Sequence, residues 1–514
     1  MNSTSVAQLS AGRIELRLAR LHIRPVTAVA VVAALIVLVG DSQALALIPL
    51  LGVMSEEFHL TASQATVVLA ILGIVGAGAL PVLTRLAERV SLRRFLLLGV
   101  AMTTLGNVLC ALAPGFTLLL IGRIVLGLSA AIPISLALVR EKSTDAHGTN
   151  RGLGLVTAAV GVGVAFSFLL GGTVLQLQGS VHTVFWVMAV LAALTFVVGW
   201  ILVPDYRVQS RTRIDYLGAA LLIVGLTLIA VAISYASEWG SGAVLALVIG
   251  FVAMGGWVWW ELSVSSPMID LRRTFRRSAV PAYFAAGLFA AVAIISNLAV
   301  TSYAEFTPVP GVPELDYGYG YIVLMASLFL MPTAFFILFG GFFVGRVITR
   351  IGIKTSFFIA GALTVVGFTF MALGHSEIWQ NAVGMGIWGI AYALGSTTAN
   401  AAFLHAAKDS EASLFSAAAT TVTGTIGSLA APVFTAVLYA TAVVVPVNGA
   451  KVSVPTAQSY TNLWWVLAAA GVVMLLMAVL HKTVQYQGGT EPQTVIAPDA
   501  TTGAPTAEVL PEER

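Results

Sequence analysis

The chain has 514 residues, of which 58% are hydrophobic and only 10% charged. An ordinary soluble domain carries about 25% charged residues, so the composition excludes one and points to an integral membrane protein. The net charge of +3 gives no reason to expect a nucleic-acid partner, and the single cysteine, Cys110, rules out an internal disulfide and any cysteine-rich metal site.

Residues 1–24 lack the apolar core and small-residue cleavage site of a secretory signal. Arg13, Arg17, Arg20 and Arg24 recur at helical spacing beside Ile14, Leu18 and Leu21. The spacing predicts a short amphipathic helix on the cytoplasmic membrane surface, held by anionic lipid. Fourteen apolar runs follow, each near the 20 residues a membrane helix needs. They cover 25–50, 63–84, 94–113, 116–138, 153–175, 183–203, 216–236, 242–263, 279–303, 320–345, 355–374, 379–404, 414–443 and 462–481.

Basic residues in the connecting segments set the orientation. One set of alternate loops holds Arg85, Arg89, Arg93, Arg94, Arg140, Lys142, Arg272, Arg273, Arg346 and Arg350, while the other set holds only Lys451. The first set is therefore cytoplasmic, and an even span count puts both termini there. Residues 204–215 close a first block of six spans, and 264–278 open a last block of six. The predicted fold class is an all-α integral membrane protein with 14 transmembrane helices, two six-helix bundles and a central inserted pair. Its expected divisions are 1–24, 25–205, 206–277, 278–484 and a disordered cytoplasmic tail at 485–514. Alternating valines around Asn448-Gly449 predict an extracellular β-hairpin over 443–455.

The turns after the second span of each block repeat one another. "TRLAERVSLRR" (84–94) aligns with "GRVITRIGIKT" (345–355) at an offset of 261, matching Arg85 to Arg346, Arg89 to Arg350 and Arg93 to Lys354. A six-plus-six repeat is an architecture of secondary transporters whose halves rock around a midplane site.

These turns resemble the G-x-L-x-D-R-x-G-R-R/K signature of the major facilitator superfamily, with Thr84, Glu88 and Ser91 as departures in the first copy. Span four, "GRIVLGLSAA", is similar to the family's R-x-x-x-G-x-x-A-A signature through Arg123 and Gly127. Span one, with Asp41 ahead of "ALALIP", resembles the D-x-x-x-x-x-x-A-L-P signature of the fourteen-helix drug/proton antiporter branch. The branch's G-P-x-x-G-G stretch in span five is altered here, since Ser167-Phe168 stands for Gly-Pro while Gly171 and Gly172 remain. The resemblance implies proton-coupled export of lipophilic drugs, antimicrobials or toxic metabolites. The departure leaves open an importer or lipid flippase on the same fold, and a non-transporting sensor or assembly protein is the other alternative.

Asp41 is the sharpest candidate for coupling or for binding a cationic substrate, because an intramembrane charge costs about 2.5–3.5 kcal/mol on insertion scales and usually lines a pathway. Glu305, at the outer end of span nine, is a second candidate acid. Arg123 is the only basic residue deep within a span, and it needs a carboxylate, carbonyls or water to satisfy it. Arg85, Glu88, Arg89, Arg346 and Arg350 are expected to form a cytoplasmic gate that pairs across the halves. Gly127, Gly161, Gly163, Gly171 and Gly172 are expected to allow close helix approach. Gln43, Asn297 and Asn400 are polar groups available to a cavity, and Trp388, Tyr392 and Phe403 read more readily as apolar packing. No nucleophile, base and oxyanion set, P-loop or paired histidine appears, so no enzyme activity, cofactor or metal is expected. The expected partners are a small lipophilic substrate, cations included, together with protons and membrane lipids. The chain is expected to act as a monomer in the plasma membrane.

Overall fold

The computed structural model describes residues 25–481, apart from 133, 136–137, 139–145, 178, 205–212, 277–278, 310, 406–411 and 448–449. The segment 1–24, the tail from 485, and the Asn448-Gly449 turn lie outside the described residues. The helices of the first block are α1 (Pro25–Leu45), α2 (Leu51–Glu57), α3 (Ala62–Val90), α4 (Leu92–Ala111), α5 (Phe116–Gly127), α6 (Ala146–Gln176) and α7 (Val181–Leu202). The middle pair is α8 (Tyr216–Ser234) and α9 (Ser241–Ser263). Then come α10 (Val280–Glu305), α11 (Val323–Ser327), α12 (Met331–Ile351), α13 (Ile353–Leu373) and α14 (Ile378–His405). The chain continues through α15 (Ala412–Ser428), α16 (Ala430–Tyr439), the strands β1 (Val443–Val447) and β2 (Ala450–Val454), and α17 (Ala457–Leu480). β1 and β2 pair antiparallel, Val443 opposite Val454.

Every one of the fourteen predicted runs contains helix, but twelve helices are long and apolar enough to cross a membrane among the described residues. α5 has 12 residues, and α14, though 28 residues long, carries Gln380, Asn381 and the polar run 396–400. The chain is a multi-pass membrane protein.

Prolines explain where the predicted runs break. A proline ring collides with the carbonyl four residues earlier and disfavours helix at the residue before it. Pro49 follows the end of α1 at Leu45, so the run predicted to reach residue 50 stops short and resumes as α2. The sequence has Pro133 a few residues after α5 stops, and Pro332 and Pro432 follow the short interruptions before α12 and α16. Other ends are set by caps: Thr61 with Gln64, Ser180 with Thr183, and Thr456 with Ser459 each form a capping box. The internal repeat is visible in the helix ends themselves. α3 ends at Val90 and α4 starts at Leu92, while α12 ends at Ile351 and α13 starts at Ile353, the same offset of 261.

Two groups of helices result. In the first, α1 packs on α6 and α7, and α4 packs on α5 and α7. In the second, α13 packs on α14 and α17, and α10 on α14, α15 and α17. The groups meet along two seams, α6 against α11 and α12, and α3 against α15 and α16. The α8–α9 pair docks through α8 on α3 and α16, covering the second seam. α9 is the least buried candidate span, and it turns Phe251, Val252 and Trp259 outward. Such side chains have no aqueous reason to be exposed and fit a lipid-facing surface.

Candidate functional site

α1 carries two different surfaces near its end. Ile36, Val39, Gly40 and Gln43 recur at three- and four-residue spacing and line one cavity. At 100° per residue, Asp41 falls on roughly the opposite side of the helix. It lies over α6, where a methyl group at Gly163 would come within 3.4 Å of Asp41 Oδ2. That oxygen is buried and has no hydrogen-bond partner, and Asp41 has no ion-pair partner among the described residues. Tyr392 on α14, from the second helix group, stands within electrostatic reach of Asp41.

The neighbour Ser42 ties the same face down. Its hydroxyl meets Ser167 Oγ at 3.1 Å. Ser167 is the residue that departs from the Gly-Pro pattern, and its hydroxyl in turn donates to the Gly163 carbonyl. The Ser42–Ser167 link joins α1 to α6 beside Asp41, and sequence reading missed it because the two serines are 125 residues apart.

Arg123 is fully buried and reaches main-chain carbonyls, not a carboxylate. Its Nη1 donates to the Gln43 carbonyl at 2.6 Å and its Nε to the Val68 carbonyl at 3.1 Å. Gln43 lies in the last turn of α1, whose terminal carbonyls lack helical partners, so the guanidinium caps that helix. Cys110 is buried nearby on α4 and contacts α5, where a methyl at Gly122 would strike its sulfur at 2.5 Å.

Glu305 ends α10. Its Oε1 is buried with no partner, and a methyl at Gly52 of α2 would sit 3.7 Å from its Oε2. Glu305 therefore lies where the two helix groups touch. It sits beside a cluster of packed rings that includes Tyr303, Tyr317 and Tyr460.

Four of the predicted packing glycines face another helix, and Gly171 faces the turn between α1 and α2. Gly127 faces Val75 and the Leu72 carbonyl, Gly163 faces Leu38 of α1, and Gly171 faces Leu50. Gly161 and Gly172 lie under Leu338 and Leu324, so both are on the seam with α11 and α12. Asn297 is buried with its Oδ1 unpartnered, whereas Asn400 is exposed. Trp388 and Phe403 are core residues.

Arg85 donates to the carbonyls of Arg213, Pro267 and Met268, on the segments that flank α8 and α9. Beneath it, Asp215 caps α8 and accepts from Trp260 Nε1 at 3.0 Å, and the buried Glu261 accepts from the Ile269 amide. Glu88, Arg89 and Arg346 each engage a neighbour, and Arg350 is exposed at the end of α12.

The cavity has a volume of about 510 Å³, within the range of small-molecule sites. It runs along α3 from Leu72 to Thr84, about 18 Å at helical rise, and is closed on the far side by α15. It thus occupies the end of the molecule where α3 finishes and α4 begins. At the opposite end the two groups touch, through Gly52 with Glu305 and Gly172 with Leu324.

The sequence pattern of the Major Facilitator Superfamily matches residues 30–432. The chain belongs to that superfamily. "Multidrug resistance protein Stp" of Mycobacterium tuberculosis is 27% identical over 315 residues, covering 60% of this chain and 56% of the relative. "Major facilitator superfamily multidrug transporter mfsC" of Aspergillus fumigatus is 23% identical over 320 residues, 60% and 59% of the two chains. A "Triacylglyceride transporter" of Mycolicibacterium smegmatis is 26% identical over 326 residues, 60% and 55%. The chain thus spans a little over half the length of these curated relatives. Among solved structures, a POT family transporter superposes with a TM-score of 0.63 at 15% identity, covering 89% of this chain and 96% of the other. The nucleoside transporter NupG gives 0.60 at 11%, covering 88% and 100%. These likenesses show the fold. Among the described residues no group of His, Cys, Asp and Glu is placed to hold a metal ion.

Proposed function

We propose that this protein is a proton-coupled secondary transporter that moves small lipophilic solutes across the cytoplasmic membrane by alternating access, in the direction of export. In this reading the chain crosses the membrane fourteen times, counting α5 and α14, as six helices, an inserted pair and six more. Both termini are cytoplasmic, and the cavity faces the cytoplasm.

The observation that carries the reading is the placement of two acids. Asp41 and Glu305 each have a buried carboxylate oxygen with no partner; Glu305 lies where the two helix groups touch, and Asp41 lies against α6, the helix that forms one of the seams. A buried carboxylate is stable only when protonated or paired. Rocking the halves apart wets the carboxylates and lets them release a proton; closing them again favours the protonated form. Proton occupancy and conformation are then linked through the same contacts. The multidrug names of the sequence relatives support export.

A second reading, an importer or lipid flippase with the same coupling, is favoured by Ser167-Phe168 in place of Gly-Pro in α6 and by the triacylglyceride transporter among the relatives. The test uses liposomes holding a pH dye and the purified protein, with wild type, Asp41→Asn and Glu305→Gln compared. Substrate-dependent proton movement is expected in wild type and lost in Asp41→Asn. Full coupling in both variants would overturn the role of these acids. Proton movement in the same direction as the solute would establish import over export.

A further inference from the structure

Among the described residues the cavity offers no countercharge: none of those that line it is Asp, Glu, Lys, Arg or His. Asp41 is turned away from it, around α1, and Glu305 lies at the other end of the molecule. What the lining does offer is hydroxyl groups, four of which spend their protons within their own helices; Ser129, which meets Thr103 Oγ1 at 3.0 Å, and Thr421 also line it. Thr84 donates its hydroxyl proton to the Leu80 carbonyl at 2.9 Å, and Thr103 donates to Gly99 at 3.1 Å. Thr195 donates to Leu191 at 2.8 Å, and Thr420 to Ser416 at 2.9 Å. A hydroxyl whose proton is committed to its own helix has only lone pairs left to present. Gln43 differs, because its Nε2 donates one proton to the Val39 carbonyl at 3.0 Å and keeps a second, while its Oε1 is buried and unpartnered. Around these groups the walls are glycine and aliphatic side chains, such as Gly76, Leu72 and Ile132.

We infer that this cavity binds a neutral, lipophilic solute bearing a hydroxyl or N–H donor, and that solute and proton occupy separate sites on opposite faces of α1. The inference rests on the proton-coupled reading for the proton site alone; the solute class follows from the lining. A cation would lose its hydration here and gain no carboxylate, whereas a donor group would meet the lone pairs of hydroxyls whose own protons are spent. The separation has an electrical consequence. Exchange of one neutral molecule for one proton moves a net charge each cycle, while exchange of a monovalent cation for one proton moves none. A membrane potential of about 100 mV then shifts the equilibrium exchange ratio about fiftyfold in the first case and leaves it unchanged in the second.

The test takes the full chain and three matched probes: 4-benzylphenol, its methyl ether, and (4-benzylphenyl)trimethylammonium. Binding to the purified protein is measured by calorimetry, and proton movement in liposomes at set potentials. The phenol is expected to bind about tenfold more tightly than the ether, the contribution of one hydrogen bond. The ammonium compound is expected not to saturate. Gly76→Leu fills the cavity and is expected to abolish phenol binding. A methyl at Gly76 would have its nearest neighbours at 3.8 and 4.0 Å, so Gly76→Ala fits and serves as the milder blocking variant, with weaker binding expected. Asp41→Asn is expected to leave phenol affinity within about twofold while stopping potential-driven proton movement. Tighter binding of the ammonium probe, no saturable phenol binding, or phenol binding indifferent to both Gly76 variants would overturn the inference. Phenol binding that Gly76→Leu blocks, with no proton movement at any potential, would instead sink the proton coupling and leave the neutral site standing. Proton movement provoked by the ammonium probe and indifferent to potential would do the reverse.

Discussion

A guanidinium with no exposed surface has only the protein to bond to, and Arg123 reaches two main-chain carbonyls through Nε and Nη1 while its Nη2 is buried without a partner. Arg123→Ala leaves both carbonyls short of a donor in a dry site and is expected to cost about 2–3 kcal/mol of stability. Arg123→Lys keeps one donor and is expected to recover part of that, with thermal unfolding in detergent as the measurement. Asp41 is the contrasting case. Its buried oxygen has no partner to lose, so Asp41→Asn is expected to leave stability within about 0.5 kcal/mol while removing the group that takes a proton. A fall in melting temperature matching that of Arg123→Ala would mean that Asp41 holds the fold together and is not reserved for function. The types and depths of these two residues were legible in sequence, because a charge inside an apolar run stands out. Their partners were not, since Gln43 and Arg123 are 80 residues apart and Ser42 and Ser167 are 125 apart.

Helices here are positioned by glycines at crossings and by prolines at breaks. A methyl at Gly172 would lie 2.5 Å from the Leu324 Cα, so nothing larger than hydrogen fits unless α6 and α11 separate. Gly172→Leu is expected to force that seam open and to stop transport while leaving the helical circular-dichroism signal intact. Overpacking of this kind costs about 1–3 kcal/mol. Arg85 plays the matching part at the other end, where it holds three carbonyls of the segments around α8 and α9. Arg85→Ala is expected to loosen the stretch holding Arg272 and Arg273, read as faster trypsin cleavage there; an unchanged cleavage rate would show that the contact carries little. Glycine positions in α6 were visible in the sequence as a pattern permitting close approach. Which helix each glycine meets was not, because Gly161 and Gly163 are two residues apart yet face different partners, Leu338 and Leu38. The inserted pair was likewise legible as two apolar runs between basic linkers, whereas its seat over the α3–α16 seam came only with the packing.

At the scale of the whole molecule, the two helix groups touch at one end and enclose a cavity at the other. Alternating access requires the touching end to part. The sequence by itself determined that the chain lives in a membrane and repeats itself at an offset of 261. Those properties depend on local composition, which acts over a few residues. Twelve spans stand on length and hydropathy alone among the described residues, and α5, with 12 residues, and α14, with its polar positions, are not among them. Only the tertiary structure decided which face of α1 looks into the cavity and which holds Asp41 against α6. That choice is made by packing between helices far apart in the chain, and a turn of roughly 150° about α1 would be needed to bring Asp41 to the cavity.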